Sequence, residues 1–164
     1  MKLIINSILV CFLSIFSLSA MAISVGEVAP AFELPGDVAP IKLSAYKGKV
    51  LYVDFWASWC GPCKQSFPWL NEMQSKYGAK GFQVIGINVD AKTAEAKTFL
   101  NDVPAKFTVA YDDKGVTPKQ FGIKGMPSSV LIDVNGKVIA QHTGFKDADK
   151  AQLEQAIQQA LSAK

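Results

Sequence analysis

The stretch Trp59-Cys60-Gly61-Pro62-Cys63 constrains this chain more than any other, because it sets two thiols three positions apart at a change of secondary structure. Before it, Val50-Leu51-Tyr52-Val53-Asp54-Phe55-Trp56 reads as a strand covered on both faces. After it, Phe67, Leu70, Met73 and Tyr77 recur at three-to-four spacing, which predicts a helix from Gly61 to about Tyr77. Pro68 lies inside that helix and should kink it. Cys60 therefore falls where a strand hands over to a helix N-terminus. Unpaired backbone N–H groups and the helix dipole favour a thiolate there. The thiolate is the attacking form of cysteine, so the position predicts reactivity. Pro62 suits the first turn, where its missing N–H has no helical partner to lose. Such a pair can close into a disulfide and reopen by thiol exchange.

The N-terminus changes what those cysteines mean. Met1-Lys2 is a short charged start, Leu3 to Leu18 is almost wholly apolar, and Ala20-Met21-Ala22 has the small-x-small pattern of a cleavage site. The apolar run is shorter than the roughly 20 residues of a spanning helix. Residues 1–22 therefore read as a cleaved signal peptide, with a retained membrane anchor as the alternative, and residues 23–164 as one domain. Cys11 goes with the leader, which leaves Cys60 and Cys63 as the only cysteines of the mature chain. Exported proteins often use cysteines as staples. A loop this small removes little chain entropy, so redox chemistry is the better motive for the pair.

The remaining pattern alternates strands and helices. Pro40 to Leu43 and Phe82 to Val89 read as strands, Thr93 to Asn101 as a helix, and Phe107 to Tyr111 as a strand. Thr117-Pro118 looks like an N-cap followed by proline at the first helical position. Ser128 to Val134 and Lys137 to His142 flank Asn135-Gly136, which predicts a hairpin with a type I′ turn. Asp147 to Leu161 is a terminal amphipathic helix. This order argues an α/β fold, with a parallel sheet centre and an antiparallel edge.

Asp54 lies six residues before Cys60 within an apolar strand. A buried carboxylate is costly unless it is protonated or faces a polar cavity. It could move protons during exchange, as a general base towards Cys63; a structural aspartate bonded to backbone is the alternative. The cysteine pair could also be half of a zinc site, but His142 is the one further soft ligand in the mature chain and sits far downstream. Every cationic side chain is lysine, with no arginine and no basic run, which argues against nucleic acid.

The run Val53 to Cys63 resembles the active-site segment of thioredoxins. The stretches Gly26 to Leu34, Gly48-Lys49-Val50, Phe82 to Asp90, Phe121 to Pro127 and Gly136 to Gly144 are similar to the exported thioredoxin-like reductases of the TlpA/ResA group. The segment from Thr93 to Tyr111 fits that group's central insertion. The resemblance implies a thioredoxin-like fold, a central mixed sheet flanked by helices with a TlpA-type N-terminal extension and a central βα insertion. It also implies a cis Met126-Pro127 bond beside Cys60, where substrate backbone pairs, and an apolar rim of Trp56, Trp59, Pro62 and Met126 around the sulfurs. Two positions depart from the group: Ser66 stands where many members carry glutamate, and Gly86 stands where thioredoxins carry the lysine partner of Asp54. A raised Asp54 pKa is the resulting expectation.

The function so implied is a periplasmic thiol–disulfide oxidoreductase that reduces protein disulfides through Cys60 and Cys63. Electrons would come from a membrane thiol transporter of the DsbD/CcdA kind, and cytochrome c maturation is one duty. Neither cofactor nor metal ion is expected, and the protein should be a monomer. Gly-Pro between the cysteines accompanies reducing members, thioredoxin itself sitting near roughly −270 mV. A peroxiredoxin is the alternative enzyme, but Val53 and Ala57 stand where its Pro-x-x-x-Thr-x-x-Cys pattern needs proline and threonine. A cysteine-based metal carrier is the non-enzymatic alternative.

Overall fold

Seven consecutive buried residues, Val50–Trp56, form the strand around which the fold is assembled. The computed structural model describes residues 23–163; the leader read at 1–22 lies outside the described residues. Two short strands, β1 (Glu33–Leu34) and β2 (Ile41–Lys42), pair as a small antiparallel ribbon. Strand β3 (Val50–Trp56) leads into helix α1 (Gly61–Tyr77), and β4 (Phe82–Asn88) into helix α2 (Thr93–Asp102). Then come β5 (Thr108–Tyr111), the short helix α3 (Val116–Gln120), β6 (Ser128–Ile132), β7 (Val138–Thr143) and helix α4 (Lys150–Ser162). The main sheet has the order β5-β4-β3-β6-β7. Strands β3, β4 and β5 are parallel, whereas β6 and β7 run antiparallel to their neighbours, giving the expected mixed sheet.

Side-chain alternation along β3 divides the core in two. Val50, Tyr52 and Trp56 point to a layer closed by Phe67, Leu70 and Met73 of α1, Ala96 of α2, and Leu153 and Ile157 of α4. Leu51, Val53 and Phe55 point the other way, onto Phe32 and Ala29 of the N-terminal extension and onto Phe121. The extension also reaches both sheet edges. Gly26 N–H donates to the Val138 carbonyl at 2.7 Å, and Tyr111 N–H donates to the Pro35 carbonyl at 2.9 Å. Exposed strand edges invite pairing with other chains, so this cover limits it.

Several local expectations are corrected. The hairpin turn is not type I′, because Asn135 has no positive φ and only Gly136 does, at 82°. Gly136 N–H bonds to the Asp133 carbonyl at 3.0 Å, and the Asp133 side chain accepts from the N–H groups of Asn135 and Lys137. The extra loop residue makes this a three-residue hairpin with a left-handed glycine. Strand β6 accordingly ends at Ile132 rather than Val134. Thr117 is not an N-cap: α3 starts one residue earlier, and the Asp112 carboxylate takes the N–H groups of Val116 and Thr117 at 3.2 and 2.6 Å. Helix α1 spans Gly61–Tyr77 with Pro68 inside it, the range expected.

Helix α2 is fixed to α1 by an aromatic triad. The Phe99 ring lies 5.0 Å from Trp56 and 5.2 Å from Phe67, centroid to centroid. Asn71 of α1 clamps the following loop, donating to the Pro104 carbonyl at 2.9 Å and accepting from the Lys106 N–H at 2.6 Å. Phe99→Ala should therefore lower stability by about 2–3 kcal/mol, short of the 3–5 kcal/mol range because the ring is only partly buried. Denaturant unfolding at unchanged slope checks this; a midpoint equal to that of the parent protein would refute the triad's role.

Candidate active site

Strand β3 and helix α1 meet at Cys60, and the chemistry of the junction follows from that placement. Cys60 has extended backbone and is the N-cap of α1; its Sγ accepts the Cys63 N–H at 3.2 Å. A sulfur there faces the open N–H groups of the first turn, which stabilises negative charge on it once reduced. The two sulfurs are joined as a disulfide with Cα atoms 5.3 Å apart. Cys60 is 4% exposed and Cys63 is fully buried, so an incoming partner reaches Cys60 first. Ser66 is buried one turn further on, its Oγ donating to the Cys63 carbonyl at 3.0 Å. The serine thus serves the helix backbone and presents no carboxylate to the sulfurs.

Asp90 holds the approach to Cys60, a role that the sequence did not single out. Its buried carboxylate accepts the Ser58 N–H at 2.9 Å, the Ser58 hydroxyl at 3.1 Å and the Asn88 side-chain amide at 2.8 Å. Val89 N–H donates to the Trp56 carbonyl at 3.0 Å. Together these bonds tie the end of β4 to residues 56–58 and set where the chain turns into the helix. The signal was available in the polar pair Asn88 and Asp90, which closes an otherwise apolar strand, and in Ser58, two residues before Cys60.

The Met126–Pro127 peptide is cis. Ser128, the next residue, pairs with Phe55, so Pro127 stands at the end of the sheet from which Cys60 emerges. Trp59 is 71% exposed, Pro62 is exposed and Met126 half-buried, and these three fit an apolar rim. Trp56 does not belong to it. Its indole is wholly buried among Phe67 and Phe99, so it supports the site from beneath.

Asp54 is 3% exposed, on the sheet face that α1 covers, and its Oδ2 has no hydrogen-bond partner. Burial pushes its carboxyl well above the ordinary range. Gly86 is its register partner on β4, as expected where a lysine would stand. A Cβ at residue 86 would lie 2.8 Å from the Phe107 ring and 3.1 Å from Trp56 Nε1. Aromatic packing therefore fills the space that a side chain at residue 86 would need. Trp56 Nε1 is likewise buried without a partner. His142 lies in β7 with Nε2 3.3 Å from Asp149 Oδ2, away from the cysteines in the chain fold. Among the described residues no group of three or more His, Cys, Asp or Glu side chains could hold a metal ion.

Known proteins resemble this chain in sequence and fold. A profile of the Redoxin family matches residues 24–157. The thiol-disulfide oxidoreductase ResA of Bacillus thuringiensis subsp. konkukian is 37% identical over 136 residues, covering 81% of this chain and 76% of its own. The crystal structure of a Chlorobium tepidum protein assigned as the thiol:disulfide interchange protein DsbE is 61% identical, with a TM-score of 0.84 over 85% of this chain and 99% of that one. The pneumococcal exposed lipoprotein thioredoxin of Streptococcus pneumoniae superposes with a TM-score of 0.70 at 30% identity, over 79% of this chain and 99% of that one.

The raised Asp54 carboxyl makes stability pH-dependent with a definite sign. Above the ordinary carboxyl range and up to its folded pKa, the native state holds a proton that the unfolded state has released, so stability falls as pH rises through this window. Asp54→Asn has no proton to lose. Its gain in stability over the parent should be larger at about pH 8 than at about pH 4. Parallel stability curves across that range would show that the carboxyl is not desolvated.

Proposed function

The chain belongs to the Redoxin family, among the ResA/TlpA-like thiol–disulfide oxidoreductases of the thioredoxin superfamily, and we propose that it works there as a periplasmic reductant of protein disulfides. The observation that carries this reading is Cys60 at the N-cap of α1, with the Cys63 N–H on its sulfur and Cys63 buried behind it.

In the reduced protein the Cys60 thiolate attacks one sulfur of a substrate disulfide. A Cys60–substrate S–S bond forms as the substrate bond breaks, and the leaving sulfur keeps the electron pair and takes a proton. Cys63 then loses its proton, to Asp54 in the fraction of molecules whose carboxyl is ionised, and attacks Cys60 Sγ. The second substrate sulfur leaves with its electron pair and is protonated in turn. Two electrons have passed to the substrate, and the Cys60–Cys63 disulfide is the product state on the protein. Trp59, Pro62, Met126 and Pro127 form the surface on which the substrate backbone lies, in the manner of an added strand.

The Cys60–Cys63 disulfide must then be reduced again by two electrons and two protons, and in this proposal a membrane thiol transporter of the DsbD/CcdA kind supplies the electrons, its own dithiol being oxidised to a disulfide. Apocytochrome c disulfides are one substrate class. Export is supported by the leader pattern in residues 1–22 and by the likeness to an exposed lipoprotein thioredoxin. No helix among the described residues is long and apolar enough to cross a membrane. The protein acts as a monomer.

Trapping tests the reading. Cys63→Ser should accumulate mixed disulfides on Cys60 that a small dithiol cleaves, and Cys60→Ser should accumulate none. Absence of such adducts on Cys63→Ser would remove the exchange mechanism. Equilibration with glutathione should give a potential near that of thioredoxin, roughly −270 mV; a value near roughly −120 mV would make the protein an oxidant instead.

A further inference from the structure

A groove of about 490 Å³ opens beside the disulfide, between α1 and α2. Trp59, Cys60 and Lys64 line its α1 side, and Glu95, Thr98 and Asp102 line its α2 side. The α2 wall is not a loose surface. Phe99, on the same helix face, is packed against Trp56 and Phe67, and Asn71 clamps the loop that follows, so Glu95 and Asp102 are presented from a fixed helix. None of Lys64, Glu95 and Asp102 makes an ion pair among the described residues. Two carboxylates thus face a groove that opens on the reactive sulfur, in a chain whose formal net charge is +3.

We propose that this groove is a substrate subsite and that its α2 wall selects target cysteines flanked by lysine or arginine. The proposal rests on the dithiol-exchange reading above and names the substrate class for that site. Glu95 and Asp102 lie seven residues apart on one helix, which sets them roughly 10 Å apart along the groove. An extended polypeptide spans that length in about three residues. Cys60, Glu95 and Asp102 line the same groove, so a basic side chain a few residues from the target cysteine meets a carboxylate while the cysteine lies over Cys60. Lys64, on the opposite wall, repels the same side chain and so fixes which wall it takes. An acidic flank meets the reverse arrangement, two repulsions on α2 against one attraction on α1. Discrimination through placed repulsion is how specificity is commonly achieved.

Two disulfide-bonded peptides, identical except for lysine or glutamate two residues from the target cysteine, test the subsite. The readout is the ratio of their kcat/KM values within each protein. The parent protein should favour the lysine peptide by about three- to tenfold at low salt, as two exposed charges allow. The preference should shrink as ionic strength rises. The combined substitution Glu95→Gln with Asp102→Asn should bring the ratio towards one, and Glu95→Lys with Asp102→Lys should invert it. An unchanged ratio in both variants, or a parent protein without preference, overturns the subsite while leaving dithiol exchange in place. A parent protein that reduces neither peptide overturns the exchange reading and the subsite with it.

Discussion

Burial of β3 on both faces is the constraint from which the rest of the site follows. Its seven residues carry two core layers, one towards α1, α2 and α4 and the other towards the N-terminal extension. A strand so enclosed leaves its chain one way out, at the end of the sheet, and that is where Cys60 stands. The helix that receives it brings open N–H groups to the sulfur, and the Asp90 carboxylate from β4 fixes the turn between them. The reactive cysteine is therefore held by backbone and core, and the exposed surface around it is free to serve recognition. The same enclosure takes Asp54 out of water, so the buried cysteine and the buried carboxyl have one cause.

Much of this was legible in the sequence because the signals were periodic. The continuous apolar run of β3 and the three-to-four spacing of Phe67, Leu70, Met73 and Tyr77 state their burial directly, and all four helix residues are buried. The cysteine spacing predicts a pair within one turn, and the sulfurs are joined. What the pattern missed were side-chain acceptors for loop N–H groups and contacts between segments distant in sequence. Asn135-Gly136 suggested a two-residue turn, but the Asp133 side chain satisfies the loop N–H groups and sets a longer one. Thr117 had the residue type of a cap, yet Asp112, five residues earlier, supplies the acceptor. Trp56 was a rim residue by resemblance alone, and Phe99, which covers it, lies more than forty residues downstream. Asp90 is the largest omission: the polar pair at the end of β4 was visible, but its partner Ser58 is 32 residues away, so the bond itself was not.

The central insertion has two consequences through one helix. Towards the core, α2 contributes Ala96 and Phe99, which close the aromatic layer over Trp56. Towards solvent, it forms one wall of the groove beside Cys60. A helix anchored only by surface contacts would present its charges in many positions and discriminate little. Anchored by buried rings and by the Asn71 clamp, it keeps them in register with the sulfur, and a recognition surface held in place loses less entropy when a partner binds.

Asp54 shows how the same packing tunes chemistry. A lysine beside a buried carboxyl would favour its charged form and hold its pKa down. At Gly86 that side chain is replaced by the rings of Trp56 and Phe107, which cannot share the position with even a Cβ. The substitution removes a cation and adds apolar surface, and both changes favour the protonated form. Cysteine thiols ordinarily titrate near 8.5 and carboxyls near 4, a gap across which proton transfer from sulfur to oxygen is steeply uphill. Raising the carboxyl narrows that gap, and general-base efficiency is greatest when the acceptor's pKa lies near the working pH. The missing lysine therefore raises the Asp54 carboxyl where a cation would have lowered it. In the exchange proposed above, that change makes the carboxylate a stronger base towards a thiol.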